Sequence, residues 1–277
     1  MDLHERLHRR YGASAPIVDV VDVPETVDQM LGHRSCRTFT DEAVDRDVVT
    51  LILAAALSSP SKSDLQQVTV IWLTDPGQRQ RVLELSPANA WALGAAEAFV
   101  FCADSRRIRR AAERLGRDFP NNHLDQFMNA SVDCGIALGA AVHAATAYGL
   151  GTCPISELRD EAASLTALLE LPQFVVPVCG LALGRPVEPD RPVIPRLAFD
   201  VTVQQNTYSD ATFDAEFDAY EQRRDELEQR PDEDQRDVAQ FGVTRPYGWA
   251  EDRTRQYSIP RRADWGEHVR SQGYGLD

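Results

Sequence analysis

Lysine is nearly missing from this 277-residue chain. Lys62 stands alone, so 28 of the 29 basic residues are arginine, and Schiff-base chemistry has a single candidate nucleophile. Basic charge is also outnumbered: 43 acidic residues set the formal net charge at −14. Nucleic-acid backbones and anionic membranes are therefore poor partners for the chain as a whole. Five cysteines (Cys36, Cys102, Cys134, Cys153 and Cys179) are widely spaced and form no CxxC pair. They read as free thiols in a reducing compartment, which predicts a cytoplasmic protein without a disulfide frame. The six histidines do not cluster with them, so zinc has no evident ligand set.

Motifs are missing as well. No GxxxxGK[ST] or GxSxG occurs, and His4 and His8, one helical turn apart near the N-terminus, read as surface residues rather than ligands. Gly149-Leu150-Gly151 is followed by Pro154 where a dinucleotide fingerprint needs its third glycine, so a Rossmann fold is unsupported. The opening MDLHERLHRR has charges but no apolar run, and no signal peptide is expected. Residues 134–156 carry no charge but are broken by Gly149, Gly151 and Pro154, which suits a buried helix better than a membrane span.

What is present is ordinary globular usage, 43% hydrophobic and 26% charged. A chain of this length buries roughly three quarters of its unfolded surface and needs no staple. The pattern predicts an N-terminal arm over 1–24 and a short helix from about 25 to 32. A helix over about 47–57 follows, capped by Asp45 and apolar on nearly every face, so its burial is expected. Ser58 to Ser63 forms a polar loop. Residues 68–73, 98–102 and 175–183 read as strands by β-branched content and flanking turn residues. A long helix spans 125–148, its second half rich in small residues; it suits either the core or a dimer interface. Another helix covers 158–169. Beyond about 205 the composition shifts to a charged helix marked by Phe213, Phe217 and Tyr220 and running to about Gln229, a charged linker over 230–236, and an arginine-rich tail.

Two clusters could carry chemistry. His33-Arg34-Ser35-Cys36-Arg37 offers two guanidiniums, an imidazole and a hydroxyl, enough to surround a phosphate, though taken alone it reads rather as a solvated basic turn. The Ser58–Ser63 loop, closed by Leu65-Gln66, offers hydroxyls, amides and the only lysine, and alone is merely a loop.

Together with Thr38-Phe39-Thr40-Asp41-Glu42, these pieces resemble the opening of the nitroreductase superfamily. The likeness continues through Ala95-Ala96-Glu97, Phe101 to Asp104, Gly149-Leu150-Gly151 with Leu158-Arg159, Leu171-Pro172, Gly180 to Gly184, and Pro195-Arg196-Leu197. The order is similar to the flavin reductase P and major oxygen-insensitive nitroreductase branch over about residues 30–225. That resemblance implies an α+β fold with a mostly antiparallel sheet flanked by helices. It implies an intertwined homodimer with FMN at the subunit interface, an FMN-binding domain over 25–205 and a C-terminal extension over 206–277. It implies ping-pong transfer from NAD(P)H through FMN to a small acceptor such as a nitroaromatic, a quinone or a free flavin.

By position, His33, Arg34 and Ser35 would hold the phosphate and ribityl chain, and Arg196 would return to the phosphate. Arg37 would face the pyrimidine edge, unless it pairs with a carboxylate such as Asp41. Ser61, Ser63 and Gln66 would line the cofactor, and Asn89 stands where the branch usually has glutamine. Pro154-Ile155-Ser156-Glu157 would run along the ring. Arg253 and Arg255 are candidates for a nicotinamide phosphate. Hydride transfer needs no general base, so no catalytic side chain is expected. Two departures stand out. Ser156-Glu157 replaces a glycine pair, placing a carboxylate near the ring or in solvent. Ile194 replaces a lysine, with the loss of one phosphate contact. A specialised flavoenzyme tailoring one metabolite and a flavin-binding protein without turnover are the alternatives.

Overall fold

The computed structural model describes residues 2–20, 22–187, 192–227 and 230–277. In chain order the elements are α1 (Leu3–Tyr11), α2 (Glu25–Leu31), α3 (Arg46–Leu57), β1 (Val68–Trp72), α4 (Pro76–Leu83), β2 (Glu97–Asp104), α5 (Arg106–Arg114), α6 (Leu124–Ala147), β3 (Gly151–Ile155), α7 (Ala162–Leu168), β4 (Val175–Gly184), α8 (Phe199–Thr202), α9 (Phe213–Asp225), α10 (Val238–Phe241), α11 (Trp249–Ser258) and α12 (Trp265–Ser271). They fall into two discontinuous units. One joins residues 1–34 to 191–260; the other joins 35–190 to 261–277.

The second unit is α+β. Its sheet runs β1-β2-β4-β3, and every pairing is antiparallel. Alternation along β2 gives the sheet two apolar faces, as a period-two strand must when both sides are covered. Phe99 and Phe101 pack with Val49, Ile52 and Ala56 of α3 and with Cys134, Ala137 and Ala141 of α6. Val100 and Cys102 face the other way, into Val82, Ile155, Leu158 and Leu165. All five cysteines are buried, and no disulfide joins them among the described residues.

Asp45 caps α3 as expected, its carboxylate accepting from the Asp47 amide at 2.7 Å. The helix is not buried all round, however. Val49, Ile52 and Ala56 face the core, while Leu51 and Leu57 stay more than half exposed. Helix α6 is also two-faced. Ala130, Cys134, Ala137, Ala141 and Ala145 are buried at helical spacing, and Leu124, Met128, Val132 and Ile136 form an exposed apolar row. By length and composition it could cross a membrane, yet one face belongs to the core of this unit. The 158–169 helix begins later than expected, since residues 157–161 wind as a 3-10 turn before α7.

The first unit is helical. Residues 1–24 are not merely an arm: α1 is tied to α2 by Arg6 and Asp28 at 2.7 Å, and Tyr11 meets Phe199 edge-on. The phenyl and phenol rings of α9 pack on Trp249 of α11. The expected end of that helix at about Gln229 lies outside the described residues. The 230–236 linker is pinned at both ends, because Arg230 and Arg236 both bond the buried Asp252 carboxylate, at 2.6 and 3.0 Å.

Candidate active site

The sheet unit holds Arg37 through backbone, not side chains. The Cys36 amide donates to the Thr152 carbonyl, the Thr40 amide to Arg185, and the Val187 amide to Thr38, so residues 36–40 are stitched to the ends of β3 and β4. Two glycines make room for this. A Cβ on Gly151 would lie 2.6 Å from the Cys36 Cβ, and one on Gly184 would lie 2.9 Å from the Phe39 ring. Arg37 thereby sits over the Trp91 ring, 5.8 Å from its centroid. Asp41 does not pair with it. Arg185 takes the neighbouring Glu42 at 2.9 Å instead.

Trp91 continues the chain of contacts. Its indole Nε1 donates to Asn89 Oδ1 at 3.1 Å, and Asn89 Nδ2 donates to Glu157 Oε2 at 2.8 Å. Ser86, fully buried, donates its hydroxyl to the same carboxylate oxygen at 2.6 Å. Glu157 is therefore neither in open solvent nor free to swing: two donors fix it, in charge-assisted bonds of the stronger sort. Arg37, Asn89 and Glu157 form one connected group, bridged by Trp91 and Ser86, which the sequence reading did not single out. An indole two residues beyond Asn89 was the available signal.

Pro154 and Ile155 belong to β3, an edge strand absent from the sequence reading. Proline cannot donate to a ladder, and here an edge position tolerates it. Pro154 and Ser156 are exposed, while Ile155 is buried in the core. Arg159 donates to the Val178 carbonyl and lies near the Trp265 ring, and Arg262 bonds Asp160, so the C-terminal segment buttresses the turn that carries Glu157.

Ser61, Ser63 and Gln66 lie on a loop with its own anchor. Asp133 of α6 is 3% exposed and accepts from Ser61 Oγ at 2.8 Å, the Lys62 amide at 3.0 Å and Gln67 Nε2 at 3.2 Å. Ser63, Asp64 and Gln66 all adopt left-handed φ, between 51° and 55°. Each such residue costs of order 1–3 kcal/mol, and the buried carboxylate offsets that strain. Beside the loop, residues from Leu57 to Ala137 line a cavity of about 520 Å³. No hydrogen bond joins this loop to Glu157 or Arg37 among the described residues. The signal for Asp133 was its place as the last charge before an uncharged run.

His33, Arg34, Arg196, Arg253 and Arg255 lie in the helical unit. His33 and Arg34 are half-buried, and Ser35 is the first residue beyond them. Arg196 is exposed; its carbonyl accepts from Arg223, and its guanidinium makes no ion pair among the described residues. Ile194, which stands in for the expected lysine, meets a different cation. Arg10 of α1 donates to the Ile194 carbonyl at 2.7 Å. Burial, and then the Arg196 charge, push the Arg10 guanidinium below its ordinary pKa.

Arg255 corrects an expectation. It is 2% exposed, and it donates to Glu251, to the Arg236 and Gly242 carbonyls and to the Thr244 hydroxyl, between the Phe241 and Tyr247 rings. It is an internal brace of this unit and cannot reach a ligand. Arg253 shares Asp252 with Arg230 and Arg236 but keeps exposed surface.

The sequence matches the nitroreductase family over residues 30–185 and that family's C-terminal domain over residues 195–277. The chain belongs to the nitroreductase family. Among family members it is 38% identical over 187 residues to the FMN reductase [NAD(P)H] of Bacillus subtilis, covering 66% of this chain and 74% of that one. It is 32% identical over 246 residues to the oxygen-insensitive NADPH nitroreductase of Salmonella typhimurium, covering 88% and 89% of the two chains. Among solved nitroreductase folds, B. megaterium NfrA2 superposes with a TM-score of 0.82 at 28% identity, over 92% of this chain and 100% of that one. The NADPH:FMN oxidoreductase of Vibrio harveyi, solved with NAD+, superposes with a TM-score of 0.75 at 28% identity, over 90% and 98%. The α+β architecture with its antiparallel sheet is the nitroreductase one.

Proposed function

We propose that the chain is an FMN-dependent NAD(P)H oxidoreductase of the nitroreductase and flavin reductase type, working as a cytoplasmic homodimer. The observation that carries the reading, within this family, is a pair of guanidiniums without acidic partners. Neither Arg37 nor Arg196 forms an ion pair among the described residues, although the chain has 43 carboxylates to offer. Cations left over in so acidic a chain fit an anionic ligand. FMN carries a terminal phosphate and, when reduced, negative charge at its pyrimidine edge. His33, Arg34, Ser35 and Arg196 are assigned to the phosphate and ribityl chain. Arg37 is assigned to the pyrimidine edge; Ser61, Ser63, Gln66, Asn89 and the 154–157 stretch are assigned to the ring.

Bound FMN supplies two-electron redox chemistry. The residues supply the setting for it. Arg37, braced over Trp91, presents a fixed positive charge where negative charge develops. Asn89 is locked by Trp91 on one side and by Glu157 on the other, so its amide is oriented without reorganisation. Arg253 is assigned to the NAD(P)H phosphate. The Leu124, Met128, Val132 and Ile136 row of α6, with Leu51 and Leu57 of α3, is assigned to the partner subunit. Gly135 and Gly139 beside it leave open space for close helix approach.

The test is direct. Purified protein should show an oxidised-flavin spectrum, release FMN on denaturation at up to one per subunit, and bleach on anaerobic addition of NADPH. Turnover should follow with a quinone acceptor. Tightly bound FAD, or no affinity for flavin, would sink the assignment; flavin that resists every nicotinamide would leave a binding protein. The fixed Glu157 carboxylate favours a second reading at the level of substrate, in which one metabolite is the physiological acceptor.

A further inference from the structure

Arg10 lies outside every motif of the sequence and outside the matched family region, yet it is the most heavily engaged side chain in the first unit's N-terminal segment. It is 5% exposed. Its Nη2 donates to the carbonyls of Leu31 and His33 at 2.7 and 2.8 Å, its Nε to Leu31 at 3.3 Å, and its Nη1 to Ile194 at 2.7 Å. Its own carbonyl accepts the Arg196 amide at 2.6 Å. One residue thus binds two distant chain segments, 31–33 and 194–196, which carry the expected phosphate ligands His33 and Arg196 and lead directly into Arg34.

The electrostatics are unusual. Among the described residues every hydrogen-bond partner of the Arg10 guanidinium is a neutral carbonyl, and no carboxylate pairs with it. The like charge of Arg196 also acts on it. A buried cation beside another cation, each without an acid, is costly unless an anion is shared. The position is also informative. Ile194 occupies the place of a missing lysine, and the cation that meets its carbonyl comes from α1 instead.

We propose that Arg10 is a positioning residue for the phosphate end of the flavin site, holding His33, Arg34 and Arg196 in place and supplying the positive charge that Ile194 does not. The proposal rests on the FMN reading and identifies the part of FMN that Arg10 serves: the terminal phosphate monoester, not the ring.

Riboflavin, which lacks that phosphate, separates this role from simple support of the fold. In Arg10→Met, the Kd for FMN measured by flavin fluorescence should rise by roughly tenfold or more, equivalent to about 1.4 kcal/mol. The Kd for riboflavin should stay within about twofold. Arg10→Lys, which keeps the charge but not the four-way grip, should fall between wild type and Arg10→Met for FMN and should again leave riboflavin unmoved. It also carries the test if the Met variant does not fold. Equal weakening of both flavins, or FMN affinity unchanged, would overturn the proposal. A wild-type chain that binds no flavin would end the FMN reading instead. The cradle is then read from inorganic phosphate: stabilisation of wild type but not of Arg10→Met in thermal melts supports it, and equal response overturns it.

Discussion

At the scale of single residues, the sharpest consequence belongs to Arg37. A fixed cation at the pyrimidine edge stabilises the reduced, anionic flavin more than the oxidised one, so its removal should lower the two-electron potential. Deleting a charge-assisted contact costs about 1.5–3 kcal/mol. If that loss falls on the reduced state, Arg37→Ala shifts the potential down by roughly 30–60 mV, at about 30 mV per 1.4 kcal/mol. A redox titration of the two FMN-loaded proteins checks this, and equal potentials would remove the tuning role. The alternative of an Arg37–Asp41 pair is already answered by geometry, since the guanidinium lies over Trp91 and Glu42 takes Arg185. Residue types were legible at this scale; their partners were not. Asn89 and Glu157 are 68 positions apart, and only the fold shows that one amide and one carboxylate share a bond. Arg255 reads from sequence as a tail arginine like Arg253, and burial alone distinguishes them.

Among the elements, those with strong periodicity or a clear cap could be read in advance. Helix α3 follows Asp45, and α6 matches its expected span within a residue. Strand β3 could not be read, because Gly151 and Pro154 erase the β-branched signal and only pairing with β4 makes the segment a strand. The exposed side of α3 was hidden for a different reason. An all-apolar helix looks buried, but its Leu51 and Leu57 face stays exposed among the described residues. That face and the outer row of α6 frame the element-scale prediction. Each fully buried aliphatic side chain contributes roughly 1.5–3 kcal/mol, so several together suffice to hold a dimer. A double charge change, Val132→Glu with Ile136→Glu, should convert a wild-type dimer to monomer in light scattering while circular dichroism is retained. A wild-type monomer with flavin bound would refute the shared interface.

For the whole molecule, the buried acids of high pH set the limit of stability. Burial raises the Cys102 and Cys134 thiols well above their ordinary value of 9.0 and the Cys179 thiol above it, and it raises the Tyr274 phenol from 10.0 to about 12. Tyr274 is anchored through its hydroxyl to Ser105 and the Phe174 carbonyl. In each case the folded protein favours the neutral form. The resulting stability is complete below the unfolded pKa and is lost as pH rises toward the folded one. Two units at Tyr274 correspond to about 2.7 kcal/mol. Unfolding free energies in urea should therefore fall steadily from about pH 9 to 12, with one tyrosine titrating last at 295 nm; a flat profile across that range would contradict the burial of these groups. The order of the strands has a further consequence, for the chain as it is made. Among the described residues strand β3 pairs only with β4, and β2 waits for β4 on its second edge, yet β4 is synthesised after both. A nascent polypeptide leaving the ribosome carries those open edges until Gly184 emerges, so this enzyme's exposure to misassociation and its need for chaperones are concentrated in that interval of translation.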